Sequence, residues 1–177
     1  MELIATCLFG LEGLLGEEID KLGYKRIETI DGRVRFEAPI EAIAVCNIRL
    51  RTAERVLIKI GSFRATTFDS LFENVKALPW SDYIGKNDAF PVKGHSIRSK
   101  LFSIPDCQKI IKKAVVNSLS AKYKIGIFPE TGIKYQIEFF ILNDVATIMI
   151  DTTGVGLHKR GYRALAGAAP MRETLAS

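Results

Sequence analysis

The sequence predicts an α+β chain made of two consecutive modules, βαββαβ and then ααβαββ. Three observations predict it. Short segments alternate apolar and polar residues at period two, and between them apolar residues return every three or four positions. Asp31-Gly32 and Asn143-Asp144 each sit between two strand-like segments as tight hairpin signals. The 177 residues are 47% apolar, enough to core one medium domain or two small ones.

The first module covers residues 1–64. Its opening segment ELIATCLF reads as a strand, and Gly10 turns it into a helix. There Leu14, Leu15, Ile19 and Leu22 share one face and Gly23 is the stop. YKRIETI and RVRFEA follow as strands across Asp31-Gly32. Pro39 opens a second helix whose Ile40, Ile43, Ala44 and Ile48 are expected to face inward. RVLIKIGSF closes the module as a strand. This order is the split βαβ arrangement of ferredoxin-like domains.

The second module covers residues 65–154. TTFDSLFENVKAL makes a helix with Phe68, Leu71, Phe72 and Val75 on one side, and PWSDYIGKND a further helical turn. AFPVKGHSIRSKLF starts as a strand and is expected to give way to a loop, because Pro91 and Gly94 interrupt it. Ser103 and Asp106 read as a capping box with Pro105 in the first turn of a long helix ending near Lys124. KYQIEFFIL and VATIMIDT form the last hairpin across Asn143-Asp144.

Charge is uneven along the chain. Residues 1–92 carry 12 Lys and Arg against 14 Asp and Glu, while residues 93–177 carry 13 against 6. A basic second half suits a nucleic-acid partner, and a solvated basic face without a partner is the plainer alternative. Cys7, Cys46 and Cys107 are widely spaced in apolar surroundings and read as reduced, buried thiols. With two histidines and no CxxC pair, a metal site has little material. The N-terminus lacks a basic leader region and no apolar run approaches the roughly 20 residues of a membrane span, so a cytoplasmic protein without membrane partners is expected.

Two clusters are candidates for phosphate contact. On the long helix, Lys109, Lys112 and Lys113 share a face without an acid at i,i+4, which reads either as a phosphate-tracking stripe or as a solubilising surface. Upstream, Lys93, His95, Ser96, Arg98, Ser99 and Lys100 feed the start of that helix, and the two groups are expected to form one continuous basic surface. His95 lacks a carboxylate or nucleophile beside it in sequence, so a polar contact suits it better than catalysis. A third cluster, His158, Lys159, Arg160, Tyr162 and Arg163, interleaves cations with an aromatic ring. It reads as an RNA contact or as packing against a following domain. Gly154-Val155-Gly156 lacks the third glycine of a dinucleotide fingerprint, and no phosphate loop occurs.

The arrangement resembles a ferredoxin-like domain followed by a THUMP domain, the RNA-binding module of several RNA-modifying enzymes. The run from Asp151 to Arg163, DTTGVGLHKRGYR, followed by Pro170, Arg172, Glu173, Thr174, Leu175 and Ala176, is similar to the junction in bacterial guanine-N2 RNA methyltransferases of the 23S rRNA type. In that family the second stretch opens the S-adenosylmethionine-dependent domain. The resemblance therefore implies an N-terminal part, with residues 155–177 a linker and the start of a catalytic domain absent here. The implied parent enzyme would use S-adenosylmethionine, while this chain would carry no catalytic residue and bind neither cofactor nor metal. Its partners would be structured RNA, rRNA in preference to tRNA, and the C-terminal methyltransferase domain of the same protein. Two alternatives stay open: the substrate-binding region of a tRNA-modifying enzyme, and a non-enzymatic interaction domain with a solvated basic face.

Overall fold

The computed structural model describes residues 1–159 and 172–176. The chain divides into two compact units, one of residues 1–58 together with the chain from Asp151 onward, the other Lys59–Ile150. The seven strands form one sheet, and the strand Arg55–Arg64 contributes residues to both units.

In the first unit, β1 (Glu2–Thr6), α1 (Glu12–Lys21), β2 (Lys25–Ile30), β3 (Arg33–Glu37), α2 (Ala42–Arg49) and the start of β4 (Arg55–Arg64) give the βαββαβ order. The strands lie in the order β2-β3-β1-β4, with β3 and β4 antiparallel to β1. This is the ferredoxin-like topology the sequence predicts. Gly32, at φ +71, turns the Asp31-Gly32 hairpin, and its N–H donates to Glu12 Oε1 at 2.8 Å. Those backbone hydrogen bonds hold the Glu12 carboxyl below its usual range.

The packing face of α2 differs from the expected one. Ala42, Cys46 and Leu50 are buried, whereas Ile40 and Ile48 are 66% and 73% exposed. Helical periodicity fits either stripe in this short segment. The small side chains of Ala42 and Cys46 let the backbone approach the sheet, which larger isoleucines would prevent. The helix also begins at Ala42, not at Pro39.

The second unit holds the rest of β4, α3 (Phe68–Lys76), a 3-10 turn (Trp80–Asp82), β5 (Val92–Ile97), α4 (Ile104–Tyr123), β6 (Ile137–Leu142) and β7 (Val145–Asp151). Strand order is β4-β7-β6-β5, with β5 parallel and β7 antiparallel to β6. Leu71 and Val75 of α3, Trp80, and Cys107, Ile111, Ala114, Val115 and Leu119 of α4 close over Ile137, Phe139, Ile141, Ala146, Ile148 and Ile150. Thr67 caps α3 by accepting from the Ser70 N–H at 3.2 Å. Asn143 and Asp144, at φ +50 and +65, form the two-residue turn their sequence predicts.

Two local expectations change here. Gly94 does not end β5 but lies inside it, because a Cβ there would come within 2.2 Å of the Phe139 carbonyl oxygen on β6. Only glycine allows that approach. Ser103 does sit at the N-cap of α4, yet its hydroxyl donates to the Asp106 carboxylate and makes no side-chain bond to the helix backbone.

Candidate nucleic-acid interface

The loop from β5 to α4 is braced by hydrogen bonds from its own side chains and from the β6–β7 turn. Ser96 Oγ donates to the Leu101 carbonyl at 2.6 Å, and Ser99 Oγ to the Ile97 carbonyl at 2.9 Å. Across the gap, the Lys100 N–H donates to Asp144 Oδ1 at 2.8 Å, and the Asp144 N–H to Ser99 Oγ at 3.0 Å. The β6–β7 turn thereby pins the loop from the side. Ser96 and Ser99 shape the loop with their hydroxyls, and the cations face out.

Arg98 adopts φ +49, a left-handed conformation costing a non-glycine residue about 1 kcal/mol. The brace holds it there. The side chains of Arg98 and Lys100 are exposed and meet no carboxylate among the described residues. Arg64 ends β4 beside the same turn, where the Ala65 N–H donates to the Asp144 carbonyl at 2.8 Å. The N-termini of α3 and α4 follow β4 and this loop directly, adding the positive ends of two helix dipoles. Phe102, between Lys100 and the start of α4, is 81% exposed.

The expected continuous surface is divided by the sheet. Along β5 exposure alternates, so Lys93, His95 and Ile97 lie on the face opposite Val92, Gly94 and Ser96. Since α4 packs on the side of Phe139, Lys109 and Lys113 belong to the other layer. Lys112 differs from both neighbours. Its Nζ meets Glu130 Oε1 at 2.6 Å and the Phe90 carbonyl at 3.1 Å, and sits 3.6 Å from the centre of the Phe90 ring. The stripe therefore does have an acidic partner, supplied from the loop after the helix.

The third cluster sits in the first unit, as far as it is described. Leu157 is buried, and its N–H donates to the Glu54 carbonyl at 2.9 Å. His158 folds back beside Gly156, with Nδ1 3.8 Å from Glu54 Oε2, and Lys159 is exposed. Arg172 donates to both Glu54 oxygens at 2.8 Å, ahead of α5 (Glu173–Ala176). Arg160, Tyr162, Arg163 and Pro170 lie outside the described residues.

Similarity to known proteins falls along the same division. A model of the RlmL ferredoxin-like domain matches residues 2–57, and the THUMP domain model matches residues 65–151. The chain thus carries a match to an RlmL ferredoxin-like domain followed by a match to a THUMP domain. It is 47% identical over 178 residues to the candidate RNA methyltransferase YpsC of Bacillus subtilis (strain 168), covering 99% of this chain and 46% of that protein. A crystal structure from Listeria monocytogenes (str. 4b F2365), described as a predicted N6-adenine-specific DNA methylase, matches at 51% identity and TM-score 0.94, again over 99% and 46%. The crystal structure of SMU.472, a candidate methyltransferase complexed with SAH, matches at 42% identity and TM-score 0.91 with the same coverages. The chain thus spans about half the length of these relatives.

Gly154 turns at φ +70 directly after β7, and the His158 ring fills the space beside Gly156. Neither glycine opens a phosphate cradle on a helix. The thiols are unsuited to nucleophilic work: burial pushes Cys7 and Cys46 up to about 11 and raises Cys107 as well. Among the described residues no three His, Cys, Asp or Glu side chains gather as a metal site requires, and no helix is long and apolar enough to cross a membrane. Sequence reasoning missed Arg64 and Phe102. The second was legible as an aromatic placed two residues after one cation and four after another.

Proposed function

We propose that this chain is the RNA-binding front of an S-adenosylmethionine-dependent RNA methyltransferase, acting on guanine N2 of 23S rRNA. Its task is to hold structured RNA by shape and phosphates while a tethered domain meets one nucleotide. The observation that carries the reading is the braced end of the THUMP sheet, where Arg64, Arg98 and Lys100 gather beside two helix N-termini. Lys93 and His95 on the open sheet face, and Lys109 and Lys113 on α4, extend phosphate contact around the domain. Lys112, Ser96 and Ser99 contribute chiefly by fixing the surface, and His158, Lys159, Arg160, Tyr162 and Arg163 by carrying it toward the next domain. SAH, bound by one relative, is the demethylated product of S-adenosylmethionine and supports that cofactor for the parent enzyme.

The test is filter binding of a structured rRNA fragment, a tRNA and a DNA hairpin over a salt series. Log K should fall linearly with log salt, with a slope of roughly −3 to −5 for a handful of phosphates. The rRNA fragment should bind more tightly than either competitor. Binding absent at low salt, or flat with salt, rejects an RNA-gripping role. Preference for the DNA hairpin would instead favour the activity described for the Listeria relative.

A further inference from the structure

We infer that Phe102 is a stacking platform for one unpaired RNA base, flanked by Arg98 and Lys100 as its phosphate contacts. This rests on the RNA-binding reading above and adds to it a requirement for a single-stranded nucleotide.

Position makes the case first. Leu101 is buried at 4% exposure, and its carbonyl accepts from Ser96 Oγ and, at 3.8 Å, from Cys107 Sγ. Ser103 is already the N-cap of α4. The backbone of Phe102 is therefore held between an inward-anchored leucine and a helix start. At 81% exposure the ring makes no aromatic or cation–π contact among the described residues. Exposure alone does not distinguish it, since Phe9 is 82% exposed; what sets Phe102 apart is its place beside two outward cations on one braced loop.

Charge selects the covering group. Arg98 and Lys100 leave the same loop, both exposed, so the partner carries negative charge along with a flat apolar surface. A nucleotide supplies both, the base for the ring and its phosphates for the cations. A paired base has its faces occupied by its neighbours, so the occupant is a nucleotide in a loop, bulge or overhang. Stacking of this kind tolerates any base, and the platform reads strandedness without reading sequence. Because the loop is already fixed by five side-chain hydrogen bonds to its backbone and turn, little ordering is needed on binding.

The experiment compares the chain with Phe102→Ala and Phe102→Trp, using an RNA stem with a short single-stranded overhang and the same stem blunt-ended. Thermal melts establish first that both variants fold, as expected for a solvent-facing position. Phe102→Ala should weaken overhang RNA roughly five- to one-hundred-fold, the range of one aromatic–base stack, with blunt-stem affinity within twofold and the salt slope unchanged. Emission from Phe102→Trp should be quenched by overhang RNA and not by the blunt stem. Trp80, fully buried with its Nε1–H on the Val75 carbonyl at 2.7 Å, gives a constant background. Unchanged affinity for overhang RNA without quenching overturns the platform, as does an equal loss for both RNAs. Failure of the unmutated chain to bind either RNA would instead overturn the RNA-binding reading itself.

Discussion

The ferredoxin-like unit and the THUMP unit use their cations in opposite ways. In the first, Arg26 meets Asp20 at 2.7 Å, Arg35 meets Glu2 and Glu28 at 2.9 and 3.2 Å, and Arg172 meets Glu54 at 2.8 Å. Arg55 pairs with Asp151, whose side chain is 2% exposed. In the second, Arg64, Arg98, Lys100 and Lys109 meet no carboxylate among the described residues, while Lys112 pairs with Glu130 and Lys76 with Glu73 at 3.8 Å. A guanidinium satisfied inside its own fold holds structure. One left facing solvent on a braced loop is available to a partner. Net charge alone does not separate these roles; the pairing does.

The comparison can be broken at its scaffold first. Gly94→Val should destabilise the THUMP unit by about 3 kcal/mol or more, because the clash is with the Phe139 backbone and not with a yielding side chain. A urea melt would read it; near-neutral behaviour would mean β5 does not run through Gly94. Next comes Arg55→Ala, expected to cost about 2 kcal/mol by stranding the buried Asp151 carboxylate, the partial exposure of Arg55 reducing the full cost of a broken buried pair. RNA affinity should stay unchanged at temperatures where the variant is folded.

How much of this was legible in the sequence depends on the range of the contact. The two hairpin turns and the end of α4 near Lys124 are local patterns, and both appear as read. The strand through Gly94 was not legible, because its reason is the Phe139 carbonyl on a strand more than forty residues away. Nor was the partner of Lys112, since Glu130 lies in an irregular loop 18 residues on. The α2 face was ambiguous in principle, because both stripes have helical spacing and only closeness to the sheet favours Ala42 and Cys46. The attachment of Asp151, Thr152 and Thr153 to Arg55, Asn47 and Val56 spans about a hundred residues and leaves no local trace.

Two smaller effects sharpen the contrast within the THUMP unit. Lys112→Ala should cost about 1 kcal/mol through the lost Phe90 and Glu130 contacts. It should change RNA affinity less than Lys109→Ala does. Arg98→Ala, by contrast, should shift stability by no more than about 0.5 kcal/mol, because its side chain meets no partner among the described residues. Paired melts and binding isotherms for these variants would show whether stability and affinity separate along the line that pairing draws.

The most direct test is the salt dependence of RNA binding by an Arg98→Ala, Lys100→Ala double variant beside the unmutated chain, with melts recorded on both. Each lost phosphate contact should lower the magnitude of the slope of log K against log salt by about 1, so the double variant should fall by about 2 at an unchanged melting temperature. An unchanged slope in a folded double variant would contradict the account, because the braced end of the THUMP sheet would then not be where RNA is held.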